Sequence, residues 1–458
     1  MKKQHYDVFV IGSGIAGQTV AEFCSKKGLS VAIADYREYG GTCANRGCDP
    51  KKILLQFTDL LNHSKNLKDV GIQILPKVDW AAVQAFKTKF TGPVPTKTER
   101  NLIELGINLY HQSPHFVSEN EISVEGKNVT ADYFVIATGQ VPRKLTFKGA
   151  HYCQNSDDIL NFKEPPESAI FIGSGYIAME FSYMLASLGC KVTVVEKDNR
   201  ALGPFDEFLV ARLVEHLKSL GVDFIFDADA SKIEKLRKNY RLHYSKKGKS
   251  HKIKANTIFN AAGRVPSIGE LSLEKGNIQH NDKGIEVDDY LQSKTNPKVF
   301  ACGDVSDKSV PLTPLSGLQG YIVGNNILKS KSKKFSVPCV PSTVFTYPQL
   351  SMVGYTEHGA KSKFKNLKIY QDDVGDWFNA KRKKEDVYAY KIIVNERTDE
   401  ILGAHLLSSE ANECINLFST AIFNNMTVKE FKKLIFTYPS FSQDLKSMLA
   451  DSSTIIKH

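Results

Sequence analysis

Hydrophobic runs that end in glycine recur along the first half of the chain. Residues 6–11 are almost continuously apolar and predict a buried parallel strand, which leads into Gly-Ser-Gly-Ile-Ala-Gly at 12–17. An amphipathic helix to about Lys27 and a second strand, 30–34, follow and end at Asp35. In such a turn, main-chain amides and a helix N-terminus hold a pyrophosphate, and a carboxylate accepts a ribose hydroxyl. We therefore expect a dinucleotide to bind at Gly12, Gly14, Gly17 and Asp35.

The same pattern returns between residues 168 and 196. Strand 168–172 leads into Gly-Ser-Gly-Tyr-Ile-Ala at 173–178, a helix through Leu188 and a strand, 191–195, that ends at Glu196. Two fingerprints imply two dinucleotides, and a flavin with a nicotinamide is the natural pair for electron transfer. The Glu196 carboxylate favours the 2′-hydroxyl of NAD(H) over the 2′-phosphate of NADP(H), although Lys197 and Arg200 offset this preference in part.

The second half of the chain changes its pattern at about Ser336. Before it, apolar runs at 133–136, 257–259 and 299–301 end at Ala-Thr-Gly, Ala-Ala-Gly-Arg and Cys-Gly-Asp. After it, alternating strands at 342–346, 388–394 and 401–406 precede helices at 410–424 and 428–434. The predicted fold class is α/β, with two Rossmann-like dinucleotide-binding domains and a C-terminal α+β domain.

The composition of the chain limits its possible binding partners and its possible cellular compartment. The chain has 458 residues, of which 42% are hydrophobic and 24% charged, and it contains no apolar run long enough to span a membrane. Its first residues are too poor in apolar side chains for a signal peptide, and its eight cysteines are too sparse for a secreted disulfide framework. The lysines behind the net charge of +10 are dispersed. We expect a cytoplasmic protein without a nucleic-acid or membrane partner.

Cys43 and Cys48 are the strongest candidate chemistry in the chain. Five residues of regular helix rise about 7.5 Å, which exceeds the Cα separation that a disulfide tolerates, so a bridge here needs an irregular turn. Gly47 and Pro50 are placed to provide one. With Pro50 as the first helical residue, Cys48 lies just outside the helix N-terminus, where the helix dipole, Arg46 and Lys51 favour a thiolate. These residues favour a redox pair over two ordinary buried thiols.

With these markers in order, the chain resembles the pyridine nucleotide–disulfide oxidoreductases, which include dihydrolipoamide dehydrogenase, glutathione reductase and mercuric reductase. The resemblance covers essentially the whole chain. It is carried by Gly-Gly-Thr-Cys-x4-Cys-x-Pro-Lys at 40–51, Ala-Thr-Gly at 137–139, Gly-Tyr-Ile-Ala-Met-Glu at 175–180, Gly303-Asp304, and Leu-Thr-Pro at 312–314. It implies an FAD-binding domain at 1–150, an NAD(P)-binding domain at 151–265, a central FAD-binding segment at 266–335 and a dimerisation domain at 336–458.

The resemblance also implies an electron path. NADH passes hydride to FAD, Cys48 is the flavin-side sulfur, and Cys43 is the interchange sulfur that meets the acceptor. Tyr176 is the lid of the nicotinamide pocket, and Glu180 pairs with Lys51, or with Lys52 since family members differ by one position. Asp304 holds the ribityl chain. The implied cofactor-binding residues, with no metal ligand among them, are Gly41, Thr42, Lys52, Thr138, Gly139, Gly173, Gly175, Tyr176, Ile177, Glu180, Glu196, Gly263, Arg264, Gly303, Asp304, Leu312 and Thr313. A homodimer with active sites shared across its interface is also implied.

The chain departs from the family near its C-terminus. Disulfide-reducing members carry His-Pro-x-x-x-Glu, and here the histidine is Tyr438 and the glutamate is Gln443. A phenol titrates near 10 and is a poor base at neutral pH, so thiol acid–base catalysis is weakened. Asp444 is a possible substitute at the wrong offset, and Tyr438 packing at an interface is the alternative to a catalytic role. Glu22, where glutathione reductase has arginine, disfavours glutathione, and the tail at 451–458 lacks the cysteine pair of mercuric reductases.

The sequence therefore predicts an NADH-preferring FAD enzyme with a redox-active Cys43–Cys48 disulfide. Its acceptor is a metal ion, a quinone or a small disulfide, because these need little proton management at the thiol. One alternative is a dihydrolipoamide dehydrogenase with a relocated acid–base group. The alternative from another class is a redox-sensing flavoprotein that turns over slowly.

Overall fold

The computed structural model describes residues 4–385, 387–450 and 454–457. The chain divides into two compact units. Unit 1 comprises Met1–Lys51, Gln84–Lys144 and Gly263–Val337, and unit 2 comprises Lys52–Val83, Leu145–Ala262 and Pro338–His458.

The strands that this part of the chain forms are β1 (Gln4–Ile11), β2 (Val31–Ala34), β3 (Asn108–Tyr110), β4 (His115–Ser118), β5 (Glu121–Val124), β6 (Lys127–Ile136), β7 (Gln140–Pro142), β8 (Ser168–Ile172), β9 (Lys191–Val195), β10 (Val222–Ile225), β11 (Ala228–Lys235), β12 (Tyr240–Lys246), β13 (Lys249–Ala255), β14 (Thr257–Asn260), β15 (Arg264–Pro266), β16 (His280–Asn281), β17 (Gly284–Ile285), β18 (Val299–Ala301), β19 (Ser342–Val344), β20 (Gln349–Gly354), β21 (Leu367–Asp373), β22 (Ala389–Asn395), β23 (Ile401–Ser408) and β24 (Thr454–Lys457).

The α-helices are α1 (Ile15–Ser25), α2 (Gly41–Arg46), α3 (Cys48–Asn66), α4 (Trp80–Thr91), α5 (Val94–Glu104), α6 (Ser156–Leu160), α7 (Tyr176–Ser187), α8 (Glu207–Ser219), α9 (Thr313–Leu328), α10 (Glu357–Lys361), α11 (Phe378–Lys383), α12 (Ala411–Phe423), α13 (Val428–Phe431) and α14 (Phe441–Ser447). Short 3-10 helices lie at Lys68–Val70, Ala150–Tyr152 and Gly303–Val305. No helix in the described ranges is both long and apolar enough to cross a membrane.

Unit 1 is built on a sheet in the order β3-β2-β1-β6-β5-β4, with β18 also paired to β6. The pairs β1–β2, β1–β6, β2–β3 and β18–β6 are parallel, whereas β4–β5 and β5–β6 are antiparallel. Val8, Phe9, Val10 and Ile11 are all buried, as expected where helices cover both faces of parallel strands. A Cβ on Gly320 of α9 would lie 2.6 Å from the carbonyl oxygen of Ala16, so glycine permits α9 to pack closely on α1.

Unit 2 contains a parallel sheet in the order β10-β9-β8-β14 and an antiparallel sheet in the order β11-β12-β13. The largest sheet of this unit that the described residues form is antiparallel, with the strand order β19-β20-β23-β22-β21-β24. Helix α12 packs on this sheet, and the Phe418 and Phe431 rings stack in its core with centroids 5.0 Å apart. Within this unit, the Lys391 ammonium lies 2.8 Å from the carboxylates of both Asp206 and Glu357.

The predicted α/β class with two dinucleotide-binding folds and an α+β module is confirmed. The ends of the elements differ by a few residues. Helix α1 ends at Ser25 and not near Lys27, and α13 ends at Phe431 and not at residue 434, because the chain turns there. The antiparallel β11–β13 sheet and helices α4 and α5 lie in segments for which we made no prediction. The predicted boundaries at residues 150, 265 and 335 remain predictions.

Candidate active site

The two glycine-rich turns have nearly the same geometry. Gly12 and Gly173 adopt φ values of 107° and 102°, which L-residues with a side chain rarely adopt. A Cβ on either would lie 2.4 Å from a carbonyl oxygen, that of Ala137 or that of Ala261. Each turn therefore needs glycine to pass the end of the neighbouring strand, and each delivers the chain to the N-terminus of a helix, α1 or α7.

The acidic residues that close the two fingerprints are held by the serine inside each turn. Asp35 Oδ2 accepts hydrogen bonds from the Ser13 amide at 2.8 Å and its hydroxyl at 2.7 Å. Glu196 Oε2 accepts the same pair from Ser174, at 2.8 and 2.6 Å. A carboxylate has about four lone-pair sites, so both groups retain capacity for a ribose hydroxyl. Sequence reasoning missed Ser13 and Ser174, although the identical Gly-Ser-Gly in both turns was a usable signal.

The residues of unit 1 predicted to hold FAD include buried polar groups that lack a protein partner. Among the described residues, neither the buried Thr138 hydroxyl nor the Gln319 side-chain amide nitrogen has a hydrogen-bond partner. Gln319 Oε1 accepts from the Gly303 amide at 2.7 Å, which orients that side chain. Gly139 has φ of 66° and open space where a Cβ would stand. Unsatisfied buried donors and acceptors beside an open glycine fit a polar cofactor such as FAD.

Asp304, predicted to hold the ribityl chain, is also in unit 1. Its Oδ1 accepts a hydrogen bond from the Ser316 hydroxyl at 3.3 Å. Burial raises the pKa of the Asp304 carboxyl, and Arg264 and Ser316 partly offset this. Gly263 and Gly303 have φ values of 102° and 75°, and the residues Leu312 and Thr313 start α9 as its N-cap and first residue.

The cysteine pair lies where α2 ends and α3 begins. Helix α3 starts at Cys48 and not at Pro50, so the prediction that Pro50 is the first helical residue was wrong. Gly47, the C-cap of α2, already breaks the preceding helix, which lets α3 start two residues earlier than expected. The Arg46 guanidinium, expected to favour a thiolate at Cys48, is instead paired with the Glu38 carboxylate.

Both sulfurs are present as thiols and share a hydroxyl neighbour. The Thr313 hydroxyl donates to Cys43 Sγ at 3.2 Å, and its oxygen lies 4.0 Å from Cys48 Sγ. The pKa of Cys43 is raised, first by its hydrogen bond to Cys48 and then by burial. Both effects favour the protonated form of the Cys43 thiol. Cys43 has one S–H, which it can donate either to Cys48 or to Asp49 Oδ1, 3.9 Å away.

In unit 2, the partner of Glu180 is Lys52, the alternative kept open in the sequence, and not the preferred Lys51. Lys52 Nζ lies 2.9 Å from Glu180 Oε2 and 3.5 Å from the centroid of the Phe345 ring. Glu180 Oε1 accepts the Phe345 amide at 2.9 Å, and the Glu180 side chain is 1% exposed. Helical phase decides between the two lysines, because adjacent residues on a helix project about 100° apart.

Asp59, near the same ion pair, was not foreseen. Its Oδ1 accepts a hydrogen bond from the Tyr183 hydroxyl at 2.7 Å, and the Asn62 amide donates to that hydroxyl at 2.9 Å. Burial raises the pKa of Asp59 to about 6, with Tyr183 and Lys52 lowering it and Glu180 raising it. Unit 2 therefore holds two carboxyl groups that interact electrostatically with one lysine.

The segment that replaces the histidine–glutamate pair is accessible. Tyr438 is 75% exposed. The main-chain amide of Gln443 donates to the Ser440 hydroxyl at 3.2 Å, so that Ser440 caps α14. Asp444 accepts hydrogen bonds from Asn379 at 2.9 Å and from Tyr388 at 3.2 Å, and burial raises the pKa of its carboxyl. The side chain considered as a substitute base is thus held within the packing of the C-terminal domain.

Comparison with known proteins identifies the family. The model of the pyridine nucleotide-disulphide oxidoreductases matches residues 6–320, and the model of the dimerisation domain of these oxidoreductases matches residues 340–449. The chain belongs to this family. Like other pyridine nucleotide-disulphide oxidoreductases, it is an oxidoreductase of a class that uses FAD and pyridine nucleotides.

Similar relatives span nearly the whole chain. Mercuric reductase from Staphylococcus aureus is 29% identical over 96% of this chain and 81% of the relative. Glutathione reductase from Burkholderia cepacia is 27% identical over 98% of this chain and 99% of the relative. Among solved structures, a Cu(II) complex of the HOCl-induced flavoprotein disulfide reductase RclA from Escherichia coli has a TM-score of 0.86 at 26% identity, covering 96% of this chain and 98% of that one.

The structure brings some predicted site residues of this pyridine nucleotide-disulphide oxidoreductase together within each unit. In unit 1, Cys43, Cys48 and Thr313 are neighbours, and Gly14 and Gly41 meet so closely that a Cβ on Gly41 would lie 2.4 Å from the Gly14 Cα. In unit 2, Glu180 joins Lys52. Tyr176, expected to cover a nicotinamide, is 41% exposed at the start of α7. The remaining role assignments, Thr42, Ile177 and Tyr438 included, stay predictions.

Proposed function

We propose that this enzyme transfers electrons from NADH through FAD to the Cys43–Cys48 disulfide and from the resulting dithiol to a small acceptor. The observation that carries the proposal is the arrangement of Cys43, Cys48 and Thr313, in which both sulfurs neighbour the Thr313 hydroxyl. A disulfide reductase needs two neighbouring sulfurs, one that exchanges with the acceptor and one that closes the internal disulfide.

The FAD site that we propose uses Gly12, Gly14, Gly17, Asp35, Gly41, Thr42, Lys52, Thr138, Gly139, Gly263, Arg264, Gly303, Asp304, Leu312 and Thr313. FAD accepts a hydride from a reduced nicotinamide and releases an electron pair to a disulfide. The chain's own contribution is positioning: the Gly12 turn leads to the N-terminus of α1, where main-chain amides can hold a pyrophosphate, and the partnerless Thr138 hydroxyl offers a hydrogen bond. Lys52, held by Glu180, supplies a cation that stabilises negative charge on a reduced cofactor.

NADH is the nicotinamide that we propose, bound at Gly173, Gly175, Tyr176, Ile177, Glu180 and Glu196. The Glu196 carboxylate is fixed by Ser174 and accepts the Asp198 amide at 3.0 Å, so a 2′-phosphate would meet a negative charge that cannot move away. Arg200, which was expected to offset this charge, donates to the carbonyl oxygens of Gly203 and Phe205. This engagement supports NADH over NADPH.

The acceptor classes that we propose are a metal ion, a quinone and a small disulfide. Relatives named mercuric reductase and the Cu(II) complex of RclA support a metal ion as electron acceptor. Loss of the histidine–glutamate pair at Tyr438 and Gln443 supports any acceptor that requires little proton transfer there. We further propose a cytoplasmic homodimer in which the segment around Tyr438 reaches the partner's Cys43. Its domain boundaries would lie at residues 150, 265 and 335.

A steady-state acceptor panel tests this function. Purified holoenzyme is assayed with NADH and with NADPH against Cu(II), Hg(II), a water-soluble quinone, lipoamide and glutathione disulfide. We expect multiple turnovers with at least one metal ion or small disulfide, a preference for NADH, and poor turnover of lipoamide and glutathione disulfide. Cys43→Ser abolishes turnover while NADH still bleaches the flavin. Bleaching without turnover of any acceptor by the wild type would favour a sensing flavoprotein instead.

A further inference from the structure

Asp49 is the carboxylate that contacts the exchanging sulfur. We propose that Asp49 is the acid–base group of the Cys43 thiol and that the acceptor it serves is a low-molecular-weight disulfide. This inference rests on the proposed dithiol function and deepens it by naming the residue that moves the proton. It also gives a position to the relocated acid–base group that the sequence alone left open.

The geometry places Asp49 within proton-transfer reach of Cys43. Cys43 Sγ donates to Asp49 Oδ1 at 3.9 Å, within the range of a hydrogen bond with sulfur. Cys43 lies on α2 and Asp49 is the second residue of α3, and Gly47, which ends α2, separates the two helices. Asp49 is exposed, so its carboxyl exchanges protons with water, and Cys43 is half-buried, so its thiol needs a nearby acceptor.

Other candidates for this role are occupied or chemically unsuited. Tyr438 places a phenol, a chemical group that is a poor base at neutral pH, where the family has an imidazole, and the Gln443 side chain is a neutral amide. The Asp444 carboxylate is hydrogen-bonded to Asn379 and Tyr388 within unit 2. Burial raises the pKa of Asp49 above its ordinary value, which brings this carboxyl closer to the thiol in proton affinity. General catalysis improves as the pKa of the catalyst approaches the working pH.

The exchange step balances with Asp49 as proton carrier. Cys43 Sγ attacks one sulfur of the acceptor disulfide as its proton passes to the Asp49 carboxylate. A Cys43–acceptor disulfide forms and the acceptor's own S–S bond breaks. The departing thiolate takes the proton from Asp49 and leaves as a thiol. The Cys48 thiolate then attacks Cys43 Sγ, which forms the Cys43–Cys48 disulfide and releases the second acceptor sulfur as a thiolate that water protonates.

Asp49 has a second, opposite effect on Cys43. The titratable groups that face Cys43 are Cys48 and Asp49, both on α3, and α9 presents the neutral hydroxyl of Thr313. The pKa of Cys43 is raised by its hydrogen bond to Cys48, by burial and by the negative charge of Asp49. Removing the Asp49 charge therefore makes the Cys43 thiolate more abundant while removing the group that transfers its proton. A purely structural role would not separate these two effects.

The test compares Asp49→Asn with wild type, with Asp49→Glu as the conservative variant and Asp69→Asn as the control for loss of one exposed carboxylate. NADH-reduced holoenzyme is supplied with two neutral disulfides, bis(2-hydroxyethyl) disulfide and 2,2′-dithiodipyridine. The first releases a weakly acidic thiol that needs a proton, and the second an acidic one that does not. Alkylation of Cys43 by iodoacetamide is followed against pH, and trypsin cleavage after Arg46 separates Cys43 from Cys48 for mass spectrometry.

We expect Asp49→Asn to lower turnover of bis(2-hydroxyethyl) disulfide at pH 7 by about 100-fold, within the usual range for loss of a general acid–base group. Turnover of 2,2′-dithiodipyridine falls less than tenfold, and the alkylation midpoint of Cys43 moves to lower pH. Asp49→Glu restores most of the alkyl disulfide activity, and Asp69→Asn behaves as wild type. Flavin bleaching by NADH is unchanged in every variant.

Three outcomes overturn the inference, and a fourth overturns the proposed function. Equal losses with both disulfides, or turnover by Asp49→Asn at the wild-type rate, show that Asp49 transfers no proton. Absence of disulfide turnover in the wild type, with metal ions reduced, contradicts the acceptor class assigned here. Absence of turnover with every acceptor in the wild type contradicts the dithiol function itself.

Discussion

The Lys52–Glu180 pair and the Cys43–Asp49 contact both involve α3, and they differ in how much water reaches them. Glu180 is 1% exposed and makes two hydrogen bonds, to Lys52 and to the Phe345 amide, so its position is fixed. Asp49 is exposed, and its contact to Cys43 is 3.9 Å long. A buried, fully paired charge tunes a cofactor without moving, whereas an exposed carboxylate can exchange protons with water.

This difference in exposure bears on which of the residue pairs expected from the family are present in this chain. Lys52 and the buried Glu180 form the ion pair that the resemblance predicts, whereas Tyr438 and Gln443 stand where the resemblance predicts histidine and glutamate. Replacement is tolerated more readily at an exposed position such as Tyr438, because no buried partner is left uncompensated.

The strongest test of the Cys43–Asp49 contact is removal of the Cys43 sulfur. Cys43→Ser should lower turnover of every acceptor by at least about 10³-fold, because the exchanging nucleophile is lost. NADH should still bleach the flavin. Cys339→Ser, which removes a half-buried thiol elsewhere, is the control and should keep full activity. Stopped-flow flavin absorbance and acceptor assays measure both steps, and turnover by Cys43→Ser above a tenth of wild type would contradict the assignment.

The Lys52–Glu180 pair is tested by the free energy of unfolding. Glu180→Gln removes the hydrogen-bonded carboxylate partner of the partly buried Lys52 ammonium, and we expect the free energy of unfolding to fall by about 2 kcal/mol. Urea-induced unfolding of the holoenzyme measures this loss. Glu215→Gln breaks an exposed pair with Lys218 and should have no measurable effect. Equal effects of the two variants would mean that burial does not distinguish the Glu180 pair.

Restoring histidine at 438 and glutamate at 443 tests whether loss of this pair limits acid–base catalysis in this chain. We expect Tyr438→His combined with Gln443→Glu to raise kcat/KM for lipoamide by about tenfold, below the full range for acid–base catalysis because the surroundings are not adapted. Tyr438→Phe should leave the rate unchanged. Strong lipoamide turnover by the wild type would show that the histidine is not needed in this chain.

The smallest effect that we expect concerns Asp59. Its pKa of about 6 lies above the ordinary carboxyl value, so the folded protein holds this proton more tightly than the unfolded chain. The stability contributed by Asp59 is therefore present at pH 4 and is lost as pH rises through 6. Asp59→Asn should be more stable than wild type by about 1 kcal/mol at pH 7.5 and equal to it at pH 4. Urea-induced unfolding of both proteins at pH 4 and pH 7.5 measures this difference in the free energy of unfolding. The same difference at both pH values would contradict the assignment to Asp59.

Much of the architecture follows from the sequence because strand–glycine–helix patterns are local. The turns at Gly12 and Gly173, the parallel strands beside them and the antiparallel C-terminal sheet could all be predicted. The choice of Lys52 over Lys51 could not, because it depends on where α3 begins. The contact between Asp49 and Cys43 could not be predicted either, because it depends on where Gly47 ends α2 and α3 begins.

The hydrogen bonds between Ser174 and Glu196 constrain how a preference between NADH and NADPH can be changed by substitution. Glu196 accepts three hydrogen bonds, from the Ser174 amide and hydroxyl and from the Asp198 amide. Replacing it with a small neutral residue to admit a phosphate also releases the turn that Ser174 secures. An engineer seeking NADPH activity would therefore retain a hydrogen-bond acceptor at 196 and recruit positive charge by freeing Arg200 from the carbonyl oxygens of Gly203 and Phe205.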